Sequence, residues 1–311
     1  MVKPQITEKI SRKLKQASAC ALTARAGEIH LAPFVTLKGV ADETLKLLVT
    51  DSRGRSIAVI MWSSAVAPDM VSRGAARARA AREALGANLD SVPLMPLLEG
   101  TLEDRTFAVM PLMIPLSTKR LIGRVQRWRI APSILRWLQG ATVRTRKELS
   151  TEEKTTGFGH PLEYLNSMEA MPAGLRYRTE IALRRLSDGE WSPSTVLMHG
   201  DLWIGNILID PRRKDRPWHE RFVVIDWAGA AVQGYAIYDL IRVALSLRLP
   251  QSRFLSELSR QVEILGCDMQ DATSYLLAAL GHIGSHLEYF PLERFVRMSL
   301  TCTNYLEDTI K

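Results

Sequence analysis

Sequence patterning predicts an α+β chain in two unequal lobes: a small antiparallel sheet over residues 1–112 and a larger, mainly helical region over residues 113–311. Three observations carry this. Short β-favouring runs separated by turn residues fill the first part, and apolar residues recur at helical spacing through most of the second. One stretch of the second, "VLMHGDLWIGNILID" at residues 196–210, reads as buried strand that nonetheless contains charge.

The elements follow in order. "HLAPFVTL", "TLKLLVTD" and "SIAVIMW" are strand candidates, and "DSRGR" supplies the hairpin turn between the last two. The Ala- and Arg-rich "MVSRGAARARAAREALGANL" is a helix inserted before two further strand candidates, "LMPLLEG" and "TFAVMPLM". Pro111 to Pro115 form a short hinge. Helical segments are expected around 121–139, 160–187, 236–248, 253–265, 271–289 and 291–308. Pro132 is expected to interrupt the first of them, because proline removes a backbone donor.

A chain of 311 residues with 46% hydrophobic content can fill a real core. No run of eighteen apolar residues is present, and the basic start "MVKPQITEKISRKLKQ" has no apolar stretch behind it, so neither a membrane span nor a secretory signal is expected. The expected location is the cytoplasm. Cys20, Cys267 and Cys302 are scattered, which argues against a disulfide framework or a zinc site. The net charge of +8 is local: residues 119–147 hold nine Lys or Arg and no acidic residue before Glu148.

Charge inside a buried-looking stretch requires a chemical reason, since an unpaired buried carboxylate is costly. "TVLMHGD" leads into a loop, "NILID" is a short strand, "PRRKDRPWHE" is a polar turn, and "RFVVIDW" is a second strand ending in a carboxylate. A hairpin would bring Asp226 beside the loop that holds Asp201 and Asn206. Oxygen ligands converging in this way suit a hard cation such as Mg²⁺, which binds through one or two carboxylates plus substrate phosphates.

His199-x-Asp201 followed by four residues and Asn206 has the spacing H-x-D-x-x-x-x-N of kinase catalytic loops, and "VVIDW" stands where the aspartate of D-F-G lies. With "YDL" after them, these stretches resemble the aminoglycoside phosphotransferase and choline kinase-like family, whose usual wording is HGDLHPGN followed by IDW. Trp203 and Ile204 replace the His and Pro of that wording. The resemblance implies a two-lobed protein kinase-like fold and transfer of the γ-phosphoryl group of ATP, with Mg²⁺, to a hydroxyl of a small molecule or sugar. It implies that Asp201 is the catalytic base, that Asn206 and Asp226 hold the metal, and that His199 and Asp239 brace the loop.

The same resemblance implies a phosphate-covering hairpin, a lysine on the third strand and a glutamate on the helix. The hairpin "VTLKGVADETLKLLV" carries Gly39 alone, the helix offers Glu83 in "AREAL", and the lysine position on "SIAVIMW" holds Met61. A methionine cannot pair with phosphates. Three readings are open: Lys46 or Lys38 replaces the lysine, the strand register differs, or the chain is a pseudokinase serving as a nucleotide- or partner-binding module. Intact Asp201, Asn206 and Asp226 favour retained chemistry, with Gly39, Lys46 and Glu83 on the nucleotide side.

Other signals are weaker. His282 and His286 share a helix face without an evident third ligand, Ser63-Ser64 lacks a base, and no G-x-x-x-x-G-K-[ST] is present. Leu121, Val125 and Trp128 recur at helical spacing beside Arg120, Arg124 and Arg127. Either this is a solvated helix on the large lobe, or it meets something anionic: a phosphorylated or lipid-linked acceptor, or the inner face of a membrane. No nucleic-acid reading module is recognised.

Overall fold

The computed structural model describes residues 12–16, 29–34 and 44–311. Cys20, Lys38, Gly39 and the tip of the phosphate-covering hairpin lie outside the described residues. Among those described, β1 (His30–Pro33), β2 (Leu45–Thr50), β3 (Ser56–Trp62), β4 (Leu98–Leu102) and β5 (Arg105–Pro111) form an antiparallel sheet in the order β1-β2-β3-β5-β4. The β2–β3 turn is built by its first residue: Asp51 Oδ1 accepts from the backbone N–H of Arg53 at 3.0 Å and of Arg55 at 2.9 Å. Gly54 supplies the left-handed backbone, with φ of 71°.

Alternation sorts the sheet into two faces. Leu47, Val49, Ala58 and Ile60 are buried on one, together with Leu14 from a helical turn, α1, at residues 12–16. The opposite face carries Lys46, Val59, Met61, Ala108 and Met110, and Met110 packs against a small cluster of Leu94, Met113 and Val223 that Leu208 and Ile225 of the large lobe also meet. Helix α2 (Met70–Leu85) crosses to that lobe through a stripe of Val71, Ala75, Ala78 and Ala81. Gly74 on the helix packs close to Ala228, just beyond Asp226.

The large lobe contains α3 (Arg120–Thr145), α4 (Thr151–Lys154), α5 (His160–Ser167), α6 (Ala173–Ser187), α7 (Tyr238–Leu247), α8 (Gln251–Leu265), α9 (Met269–Ser285) and α10 (Leu292–Ile310). Short strands run between them: β6 (Ile114–Pro115), β7 (Lys147–Glu148), β8 (Ser194–Met198), β9 (Ile207–Ile209), β10 (Phe222–Val224) and β11 (Ala231–Gly234). The core centres on Phe158, whose ring lies edge-on to Trp191 at 5.4 Å, Tyr235 at 5.1 Å and Tyr275 at 5.8 Å.

Two expectations are corrected. Pro132 does not interrupt α3, which runs through it, because Ile130, Ala131, Ile134 and Leu135 on both sides are buried and hold the axis despite the missing hydrogen bond. The single segment expected at 160–187 is two helices, α5 and α6, separated at Met168–Pro172, with Pro172 capping the second. At the crossover between the two parts, Ile114 and Pro115 form β6 and pair with Ile209 and Leu208 of β9.

Candidate active site

The expected hairpin forms. Strand β9 pairs with β10 through Ile207–Val224, Leu208–Val223 and Ile209–Phe222, and the backbone N–H of Ile225 donates to the carbonyl of Asn206 at 3.0 Å. This register sets Asn206 beside the chain entering Asp226. Asp226 itself has φ of 66° and ψ of 60°, a left-handed backbone that Asp tolerates better than most residues and that clusters at functional sites.

The loop before Asn206 is braced from within. His199 Nδ1 accepts from the N–H of Asp201 at 3.2 Å and its Nε2 donates to the carbonyl of Ile225 at 3.0 Å, which selects the neutral Nε2–H tautomer. Full burial lowers its pKa to about 4, against a weaker opposing effect of the Ile225 carbonyl. The ring lies 4.6 Å from that of Trp227, whose Nε1–H donates to Val224 at 3.0 Å.

Asp239, at the first turn of α7, accepts from the backbone N–H of His199 at 2.5 Å and of Gly200 at 3.1 Å. Burial pushes its carboxyl up to about 6, while the two amides pull the other way. Gly200 is required at φ of 82°, where a Cβ would come within 2.6 Å of the Gly229 carbonyl. The α7 start is held in place at a cost, since buried Ile237 before it has φ of 72°, an outlier for a β-branched residue.

Asp201 stands half exposed at the centre, its side chain 48% accessible. Oδ1 accepts from Arg242 Nη2 at 2.9 Å and Oδ2 from Asn206 Nδ2 at 3.1 Å; the same Asn206 nitrogen reaches the Asp201 carbonyl at 2.9 Å. Desolvation raises the Asp201 pKa, the Arg242 charge and hydrogen bond lower it, and the neighbouring Asp226 charge raises it. With its nitrogen committed to Asp201, Asn206 has its oxygen left to ligate. That oxygen and the Asp226 carboxylate fit a hard cation; among the described residues no group of three or more His, Cys, Asp or Glu could hold a metal alone.

Arg242 is absent from the sequence-derived site. It lies three residues after Asp239 in "YDLIR", a spacing that puts both on one helix face, and that was the available signal. On the nucleotide side, Lys46 lies directly opposite Met61, and the register continues through Ala108 to Glu99. β3 therefore covers "SIAVIMW" as expected, with Met61 on it. Glu83 is not brought to this row. The buried stripe of α2 rotates it to solvent, where it makes no hydrogen bond or ion pair among the described residues. The ion pair joining α2 to the sheet is instead Arg79 with Glu99.

The weaker candidates resolve as structure. Ser63 is buried and its hydroxyl accepts from the N–H of Val71 at 3.0 Å. His282 and His286 stack at 4.7 Å with no third ligand among the described residues. Burial raises the thiols of Cys267 to about 12 and Cys302 to about 11, so neither is a thiolate near neutrality. No helix of the described residues is long and apolar enough to cross a membrane.

A small antiparallel sheet over a helical lobe, with an aspartate loop and an Asp-bearing hairpin between them, defines a two-lobed protein kinase-like phosphotransferase. The chain belongs to the phosphotransferase enzyme family APH, whose profile matches residues 78–266. Among solved structures it is similar to a thermostable mutant of the aminoglycoside phosphotransferase APH(4)-Ia in ternary complex with AMP-PNP and hygromycin B. That likeness has a TM-score of 0.56 at 13% identity and covers 95% of this chain and 98% of that one. It is also similar to the choline kinase LicA from Streptococcus pneumoniae, with a TM-score of 0.54 at 14% identity over 96% of this chain and 99% of that one. No curated protein matches the chain. At these identities the structural likeness shows the fold.

Proposed function

We propose that the protein transfers the γ-phosphoryl group of ATP to a hydroxyl of a small molecule or sugar. The observation that carries this is Asp201: a half-exposed carboxylate oriented by Arg242 and Asn206, beside a second carboxylate on a strained left-handed residue. Asp201 would take the proton of the acceptor hydroxyl as its oxygen bonds to the γ-phosphorus and the bond from that phosphorus to the β-bridging oxygen breaks, releasing ADP. Asn206 and Asp226 would hold Mg²⁺, which neutralises phosphate charge when bound. Lys46, opposite Met61 and on the same sheet face as Met110, which packs against the cluster that Ile225 meets, would take the place of the lysine that Met61 replaces. The test is ATP consumption over a panel of hydroxyl compounds with Asp201→Asn as control. Turnover that survives in Asp201→Asn overturns the assignment.

A second reading, a nucleotide- or partner-binding pseudokinase, draws on Met61 and the outward Glu83, which leave no lysine–glutamate pair between β3 and α2. A nucleotide-dependent thermal shift without turnover on any acceptor would favour it.

We also propose that the first half of α3 meets an anionic membrane surface. Leu121 is 76% and Trp128 72% exposed, Ile122 and Val125 are exposed with them, and Arg120, Arg124 and Arg127 make no ion pair among the described residues. Co-sedimentation with anionic but not neutral liposomes, weakened by salt and by Arg124→Glu/Arg127→Glu, is expected. Equal binding to both lipids, or none, overturns it.

A further inference from the structure

We infer that the acceptor carries an anionic group, a phosphate or a carboxylate, held by Arg242, Arg294 and Arg297 next to its reacting hydroxyl; this rests on the phosphotransfer reading above. A cavity of about 360 Å³ opens between α7 and α10, lined by Arg242, Arg294, Arg297, Met298 and Thr301. Its size suits a small metabolite. Arg294, Arg297, Met298 and Thr301 recur at the spacing of one helix face, so α10 presents two guanidinium groups toward the one on α7.

The charge balance in the cavity is uncompensated. Arg294 and Arg297 are exposed and make no ion pair among the described residues, and Glu293, four residues before Arg297, is not within ion-pair distance of it. Arg242 gives Nη2 to Asp201 at 2.9 Å, yet its Nε is buried without a hydrogen-bond partner. Arg242 feels two carboxylates, Asp201 by hydrogen bond and Asp239 by charge, whereas the two guanidinium groups on α10 have none among the described residues, and a buried N–H left unmade is costly. The planar fork of arginine matches the oxygens of phosphate or carboxylate, and a cationic acceptor such as an amino sugar would be repelled here.

Arg242 also fixes where the anion sits. One guanidinium touches the candidate base on one side and lines the cavity on the other, so an oxyanion in the cavity lies about one guanidinium away from Asp201. The acceptor hydroxyl, which must meet Asp201, is then only a few bonds from the anionic group. Sugar phosphates and hydroxy acids have this form. In the transfer the acceptor oxygen gains the phosphoryl group, its proton passes to Asp201, and ADP carries away the bonding pair of the broken P–O bond; the anionic group is unchanged.

The experiment pairs turnover with binding in the full chain. Two panels are assayed for ATP consumption: sugar phosphates and hydroxy acids in one, neutral sugars, amino sugars and choline in the other. Binding of inorganic phosphate is read by thermal shift, in wild type, Arg294→Glu/Arg297→Glu and Arg294→Lys/Arg297→Lys. Turnover confined to the anionic panel is expected, with KM raised about ten- to hundredfold by the charge reversal, kcat much less affected, and partial recovery in the lysine pair. Preference within the panel tells phosphate from carboxylate. Turnover of neutral or cationic acceptors with KM unmoved by the reversal overturns the inference and leaves the phosphotransfer reading standing. No turnover on either panel, with a phosphate-induced shift that the reversal abolishes, supports the anion site and overturns the transfer reading. No phosphate-induced shift in wild type overturns the site itself.

Discussion

Lys46 and Met61 face each other across the β2–β3 ladder, so their side chains leave the same side of the sheet. On that side Met110 packs against the Leu94, Met113 and Val223 cluster that Ile225 also meets. An ammonium on Lys46 is thus offset by one strand, about 5 Å, from the position Met61 occupies.

The first prediction follows from this offset. Lys46→Ala should lower kcat/KM for ATP by about ten- to hundredfold, the worth of a charge-assisted phosphate contact of about 1.5–3 kcal/mol. Met61→Lys in that background should recover part of it. Steady-state kinetics at varied ATP decides, and a Lys46→Ala enzyme with wild-type kinetics shows that phosphate is held by another group.

Asp226 supports the second prediction. Asn tolerates the left-handed backbone of this position as Asp does, so Asp226→Asn should fold while losing Mg²⁺- and nucleotide-dependent turnover. Isothermal titration with Mg²⁺ and a non-hydrolysable ATP analogue should show weakened joint binding. Retained turnover removes Asp226 from the metal site.

The third concerns pH. Asp201 must be ionised to accept a proton, and its pKa is raised by desolvation and by Asp226 but lowered by Arg242. Removing the cation leaves the raising influences opposed only by the Asn206 hydrogen bond, so Arg242→Gln should move the acid limb of the kcat/KM profile to higher pH. An acid limb that stays in place means Arg242 does not set the base.

The fourth is a stability signature of His199. Its folded pKa of about 4 lies below its ordinary value of 6.5, so the neutral ring contributes stability that is present above pH 6.5 and is lost as pH falls toward 4. The full effect is on the order of 3 kcal/mol. Asp239, raised to about 6, acts in the opposite direction between its ordinary 3.8 and 6, which masks the effect in wild type alone. The melting-temperature difference between wild type and His199→Gln isolates it and should shrink as pH drops from 6.5 to 4. A constant difference shows that the ring is protonated in the fold as easily as outside it.

The candidate site was legible where chemistry and chain order coincide. His199, Asp201, Asn206 and Asp226 lie within 28 residues, and the hairpin between them follows from two apolar runs around a polar turn, so adjacency is a local property. The same holds for the β2–β3 turn, whose register places Lys46 opposite Met61.

What the sequence by itself determined was therefore the two-part α+β layout, the strand faces and the aspartate–asparagine–aspartate cluster, because turn residues and periodicities of two and 3.6 act over a few residues. What only tertiary structure decided depends on packing between distant elements. The rotation of α2 about its Ala75–Ala78–Ala81 stripe turned Glu83 outward and left Arg79 to pair with Glu99, twenty residues away. Burial on both sides of Pro132 carried α3 through a residue that ends an isolated helix. The docking of α7 brought Arg242 to Asp201 across 41 residues, and α10 added Arg294 and Arg297 from a further fifty or so. No local pattern encodes such meetings, since each is fixed by how whole apolar faces fit together.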